Sequence, residues 1–137
     1  LIHEFNHSFI NHFLDENKYP AHVKELEPAA ADLFKSSQWS MSRQAYNNWE
    51  TMINESLVRA AVICYMLDKE YKSEEIRNEL LEQMQRNFRW MPELVSLLRK
   101  YEKKQSKYRN FENFYPNVIS FFKGYAQKEN ERFDAIK

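Results

Sequence analysis

Two histidines and a glutamate at the start of the chain have the residue types and the spacing of a metal site. His3, Glu4 and His7 form the pattern His-Glu-x-x-His. On a helix, residues four positions apart lie ~40° apart on one face, so both imidazoles can bind the same zinc ion. Glu4 lies beside them and can accept a proton from a water molecule in such a site. The pattern is typical of a zinc metallopeptidase, but it is short enough to occur by chance, so other residues must support it.

The apolar residues around the motif predict that it lies on a helix. Ile2, Phe5, Phe9 and Phe13 recur at intervals of three to four and form one apolar face. The two histidines of the motif fall on a different face, which could line a cleft. His12 is another possible third ligand, but it lies five residues past His7 and points ~140° away from it on a helix. We interpret it as an ordinary helix residue.

A catalytic zinc ion needs a third protein ligand from another element, and Glu55 is the best candidate. It stands where a long helix enters the apolar stretch 57–67, and an unpaired carboxylate is costly to bury there. Arg59, four residues later, can form a helical ion pair with it. The pair could be purely structural. Alternatively, Glu55 binds zinc while Arg59 orients or neutralises the carboxylate.

The pattern of apolar residues predicts an all-α chain of about six helices. The predicted helices run to about residue 17, then from about 22 to 34, from 40 or 42 to about 69, from 73 to about 89, from 92 to about 108 and from 116 to about 133. Residues 36–38 are predicted to form a loop. The helix that carries Glu55 is apolar on every side in its second half and is expected to be central and buried. No alternating strand pattern occurs.

Composition limits the class of protein. The chain has 137 residues, 43% of them hydrophobic, which suits one folded domain rather than a disordered segment. Lysine plus arginine equals aspartate plus glutamate, 20 each, so charge predicts no nucleic-acid partner. No apolar run is long enough to span a membrane, and the single cysteine, Cys64, excludes an internal disulfide. The chain begins at Leu1, directly before the motif, which indicates an excerpt or a processed product.

With Glu55 added, the motif resembles the gluzincin arrangement of zinc peptidases. In that group, two histidines and a downstream glutamate bind zinc, and the glutamate inside the first motif is the general base. More narrowly, the chain resembles the C-terminal helical part of the DUF4932 family of bacterial, Bacteroides-type proteins. The stretches that carry this resemblance are LIHEFNHSF at 1–9, RQAYNNWETM at 43–52 and ESLVRAAV at 55–62.

The resemblance implies an upstream β-containing region and export from the cytoplasm. Zincins bind their substrate along an edge strand that precedes the motif helix, and the resemblance implies the same arrangement in this protein. The chain departs from thermolysin-like gluzincins at position 59, where it has arginine rather than an acid. The spacer between His7 and Glu55 is also longer than in the simplest members.

A peptidase needs a donor for the oxyanion that forms during hydrolysis. Tyr46 is the first candidate, and this role requires a break in the helix near Asn47 and Asn48, because on a continuous helix Tyr46 would point ~180° away from Glu55. Tyr115, predicted to lie in a loop, is the second candidate and Arg59 the third. Any one of these tyrosines could instead pack in the core.

We interpret residues 1–137 as a single helical zincin-like catalytic subdomain, the helical portion of a gluzincin fold without its upstream β-region. The expected function is hydrolysis of a peptide or protein substrate, with Zn²⁺ bound by His3, His7 and Glu55 and with Glu4 as the base. Two alternatives stay open. One is a non-catalytic helical module that binds a partner, and the other is a degenerate zincin whose metal is structural.

Overall fold

The computed structural model describes residues 7–104 and 110–137, except for the side chains of residues 7 and 8, and these residues are helical without any strand. The α-helices are α1 (His7–Asn11), α2 (Pro20–Arg43), α3 (Trp49–Asp68), α4 (Ser73–Gln85), α5 (Met91–Lys103) and α6 (Phe111–Ala135). A short 3-10 helix, His12–Leu14, follows α1. The all-α prediction is confirmed for the described residues.

Helix α3 has the central position that its apolar sequence predicted. It packs against α1, α2, α4 and α5. Its buried residues include Met52, Ile53, Leu57, Ala60 and Ile63, which cover one broad side of the helix, an arc of ~140°. The expectation that this helix is buried on every side is wrong, because Val62 on the opposite side is 38% exposed. Burial of apolar surface stabilises the fold by roughly 25 cal/mol for each Å² removed from water, so these contacts provide much of the stability.

Helices α2 and α6 pack together and run in the same direction. Tyr19, directly before α2, donates a hydrogen bond to Glu112 at the start of α6. Further along both helices, Glu25 of α2 forms an ion pair with Lys123 of α6. Between α3, α5 and α6 lies an aromatic core whose fully buried members include Trp90, Tyr101, Phe111, Tyr115 and Phe122.

Several predicted helix boundaries are wrong. The segment 36–38, which was predicted to be a loop, is part of α2. Ser37 is buried there because Arg89 donates a hydrogen bond to its hydroxyl at 2.6 Å, which compensates for removing this polar group from water. The third helix begins at Trp49 rather than near residue 40 or 42. The Asn48 side chain caps it by accepting a hydrogen bond from the Thr51 amide at 2.8 Å.

The other boundary corrections concern the chain ends and the proline positions. The first α-helix ends at Asn11 and tightens into the 3-10 helix instead of continuing to residue 17. Helix α6 begins at Phe111, capped by Asn110, so Pro116 lies inside the helix rather than at its start. Helices α4 and α5 end at Gln85 and Lys103, earlier than residues 89 and 108.

Three helices end in left-handed residues that are not glycine. Ala45, Glu70 and Asn87 have φ of 68°, 55° and 74°. In each case the next residue's amide bonds back into the final helical turn, as the Tyr46 amide does to the Met41 carbonyl at 2.8 Å. The first of these turns, at Ala45, ends α2 and separates it from α3, and it thereby sets the direction of Tyr46.

Candidate active site

The motif at the start of the chain lies largely outside the described residues. His3 and Glu4 are not described, and His7 is described only as the first backbone position of α1. Helix α1 packs directly against α3, the helix that carries Glu55. The element that carries the second histidine of the motif is therefore a neighbour of the element that carries the predicted carboxylate ligand.

Glu55 and Arg59 form the ion pair that their spacing predicted. The Arg59 Nε donates to Glu55 Oε1 at 3.1 Å, and the two side chains are only 14% and 16% exposed. A pair this deeply placed is shielded from solvent and from salt. The guanidinium places a fixed positive charge beside the carboxylate.

Arg59 uses all three of its nitrogens in hydrogen bonds. Besides Glu55, it donates from NH1 to Gln83 Oε1 at 2.7 Å and from NH2 to the Tyr46 hydroxyl at 2.9 Å. The Phe88 ring covers the guanidinium at 5.0 Å. We refer to Tyr46, Glu55, Arg59, Gln83 and Phe88 as the Arg59 cluster. The planar guanidinium holds its members in fixed relative positions.

Tyr46 reaches this cluster because the chain turns at Ala45. The predicted requirement for a break near Asn47 and Asn48 is met, since α2 ends at Arg43 and α3 begins at Trp49. The Tyr46 hydroxyl accepts from Arg59 and keeps its own O–H for a second partner. The Tyr46 residue as a whole is half-buried.

Two other sequence candidates point elsewhere. The His12 imidazole lies 3.2 Å from the Tyr19 hydroxyl and 3.4 Å from the Lys18 amine. Tyr115 lies within α6 rather than in a loop and is fully buried. Its ring stacks on Phe13, and burial raises the pKa of its phenol. A phenol enclosed in this way cannot reach a substrate, so Tyr115 is excluded as an oxyanion donor.

Cys64 offers neither a nucleophile nor a metal ligand. It is completely buried in α3, and its Sγ lies 3.9 Å from the Val95 carbonyl. Burial raises the pKa of the thiol to about 12. The thiolate is the reactive and metal-binding form, so Cys64 behaves as a small apolar side chain.

The described part of the chain contains no group of three histidine, cysteine, aspartate or glutamate side chains that could bind a metal ion. That search does not cover the predicted site, because two of its three ligands are imidazoles outside the described side chains. The predicted donor set of two imidazoles and one carboxylate is one that catalytic zinc uses. Glu55, partly exposed and fixed by Arg59, suits the carboxylate position in it.

Gln83 is the member of the Arg59 cluster that sequence reasoning missed. It lies on α4, 24 positions after Arg59, is 4% exposed and donates from Nε2 to Glu79 at 2.8 Å. A glutamine on a mostly polar helix looks like a solvated residue. The one local signal was its i+4 spacing from Glu79, which is common on exposed helices.

The fold and the cluster define an all-α protein with a carboxylate–guanidinium pair fixed in its central helix. The chain belongs to the family described as Domain of unknown function (DUF4932), whose model matches residues 1–121. No curated protein and no solved structure matches the chain. None of the described helices is both long and apolar enough to cross a membrane.

Proposed function

We propose that this chain is the helical part of an exported, zinc-dependent metallopeptidase of the gluzincin type, which hydrolyses peptide bonds in a peptide or protein substrate. The observation that carries the proposal is the position of Glu55. Its carboxylate is fixed by Arg59 on α3, and α3 packs against the helix that begins at His7. The second histidine of the motif and a carboxylate 48 residues later in the sequence are thus on adjacent helices.

The residues proposed to hold the zinc ion are His3, His7 and Glu55. Zinc bound there supplies Lewis-acid polarisation of the peptide carbonyl and of water. Arg59 supports this set by orienting the Glu55 carboxylate through a hydrogen bond, as outer partners of metal ligands do.

Two other residues have roles in the proposed reaction, one in proton transfer and one in stabilising the oxyanion. The Glu4 carboxylate accepts a proton from the attacking water and passes it to the leaving amine. The Tyr46 O–H, whose oxygen is already bonded to Arg59, donates to the oxyanion of the substrate. The hydrogen bond from the cationic Arg59 polarises this phenol and so strengthens it as a donor.

The test uses the intact protein with Glu4→Gln, His3→Ala and a matched surface control, Glu27→Gln, on the exposed side of α2. Zinc content and turnover of a mixed peptide library are measured in parallel. Glu4→Gln should keep zinc and lose activity by ~10²–10⁴-fold, because glutamine cannot accept a proton. His3→Ala should lose zinc and activity together, and the control should match the parent.

The alternatives predict different results. Full activity in Glu4→Gln would refute the proposed role of that residue. A parent that binds one zinc ion but cuts no peptide would favour a structural metal, and a parent that binds no zinc would favour a helical partner-binding module.

A further inference from the structure

Helix α4 contacts the Arg59 cluster through a buried side-chain amide, that of Gln83. Among its 13 residues, all of them described, Gln83 alone is buried, whereas Leu81 and Met84 beside it are exposed. A buried polar side chain is costly unless it is hydrogen-bonded, and Gln83 makes two bonds, at 2.7 Å to Arg59 and at 2.8 Å to Glu79.

The chemistry of the two partners requires an amide at this position. Arg59 has only donors and needs an acceptor, whereas the Glu79 carboxylate has only acceptors and needs a donor. The Gln83 side chain supplies both, which also fixes which end of the amide faces which partner. A carboxylate at position 83 would lose the donor, and an apolar side chain would lose both groups.

The amide bond to NH1 has a geometric consequence for Glu55. The guanidinium is planar, so holding NH1 at Gln83 and NH2 at Tyr46 fixes the direction in which Nε points. That direction is toward Glu55 Oε1.

We infer that Gln83 is a positioning residue that fixes the plane of Arg59 and, through it, the Glu55 carboxylate in the zinc site. This inference rests on the proposed function. It makes α4 part of the site's support, although the helix contributes no ligand.

The test compares three variants of the whole chain. Gln83→Met removes both hydrogen-bonding groups at similar length, the exchange Glu79→Gln/Gln83→Glu keeps both bonds and the net charge, and Gln85→Met is the matched control on the same helix. Zinc affinity is measured by competition with a chelating dye, and thermal melts of the metal-free proteins report folding. Gln83→Met should bind zinc about tenfold more weakly, the exchange should stay within about threefold of the parent, and the control should be unchanged.

A second measurement does not depend on a variant or on zinc. In the metal-free parent, NMR should show that the Arg59 Nε–H exchanges with solvent far more slowly than that of Arg86, whose pair with Glu82 is exposed. Equal exchange rates would overturn the inference.

The possible failures can be distinguished. A folded Gln83→Met variant with the zinc affinity of the parent would overturn the inference alone, since Gln83 would then be merely structural. A parent that binds no zinc would overturn the proposed function, and the inference with it.

Discussion

Replacing Arg59 with alanine removes more interactions from the described structure than its position as one helical residue suggests. The substitution deletes three hydrogen bonds, to Glu55, Gln83 and Tyr46, and the ring contact with Phe88. It removes the Arg59 charge from beside the Glu55 carboxylate, which is 14% exposed, and it removes the Arg59 donor from the buried Gln83 Oε1. The loss therefore has an electrostatic part and a desolvation part.

The expected size follows from these exposures. Removing one partner of a fully buried ion pair costs about 3–5 kcal/mol, and the residual exposure here favours the lower end, about 3 kcal/mol. For a domain of this length, each kcal/mol shifts Tm by about 3 °C, so Arg59→Ala should melt roughly 10 °C below the parent. The double variant Arg59→Ala/Glu55→Gln should recover part of this loss, because a neutral amide then replaces the carboxylate that has lost the neighbouring Arg59 charge.

The assay is thermal and urea unfolding with a chelator present, so that metal binding does not contribute. The matched control is Arg86→Ala, which breaks another Glu–Arg pair at i,i+4 spacing, but one with side chains 46% and 50% exposed. That control should lose less than about 1 kcal/mol. If Arg59→Ala melts like Arg86→Ala, the Arg59 cluster does not stabilise the fold and the reasoning is wrong.

Two further predictions concern pH and backbone strain. Burial and the neighbouring Asp68 carboxylate raise the pKa of Glu102 from 4.5 to about 6, so the folded protein holds a proton that the unfolded chain releases between these values. The free energy of unfolding should therefore fall as pH rises from 4.5 to 6. The variant Glu102→Gln is neutral at every pH, so its free energy of unfolding should exceed that of the parent by about 1–2 kcal/mol at pH 7 but not at pH 4. Urea unfolding at both pH values measures this difference. Ala45 is exposed and has a φ of 68°, a left-handed conformation that costs a residue with a Cβ about 1 kcal/mol. Ala45→Gly should therefore raise the free energy of unfolding by about 1 kcal/mol in the same assay, and an unchanged value would contradict the proposed backbone strain.

The sequence predicted well the features that depend on residues close together on the same helix. The apolar stretch 57–67 predicted a central α3, and the i+4 spacing predicted the Glu55–Arg59 pair, since both depend only on helical periodicity. The break that Tyr46 requires was stated as a condition, and the structure meets it with the turn at Ala45.

The features that it missed depend on residues far apart in the chain. Residues 36–38 were predicted to form a loop, whereas Ser37 is buried in α2, and its partner Arg89 is 52 positions away. Gln83 was overlooked for the same reason, since its burial is caused by Arg59 on another helix. Pro116 was taken as a helix start, whereas the capping asparagine at 110 begins α6 a turn and a half earlier.

The central claim is that His3, His7 and Glu55 bind one zinc ion, and a crystal structure of the intact protein grown with zinc tests it most directly. Anomalous diffraction at the zinc edge should show one ion with both imidazoles and a Glu55 oxygen about 2.0–2.2 Å away. The ion should disappear from crystals of His7→Ala. No zinc at full loading, or an ion bound with Glu55 directed away from it, would contradict the claim.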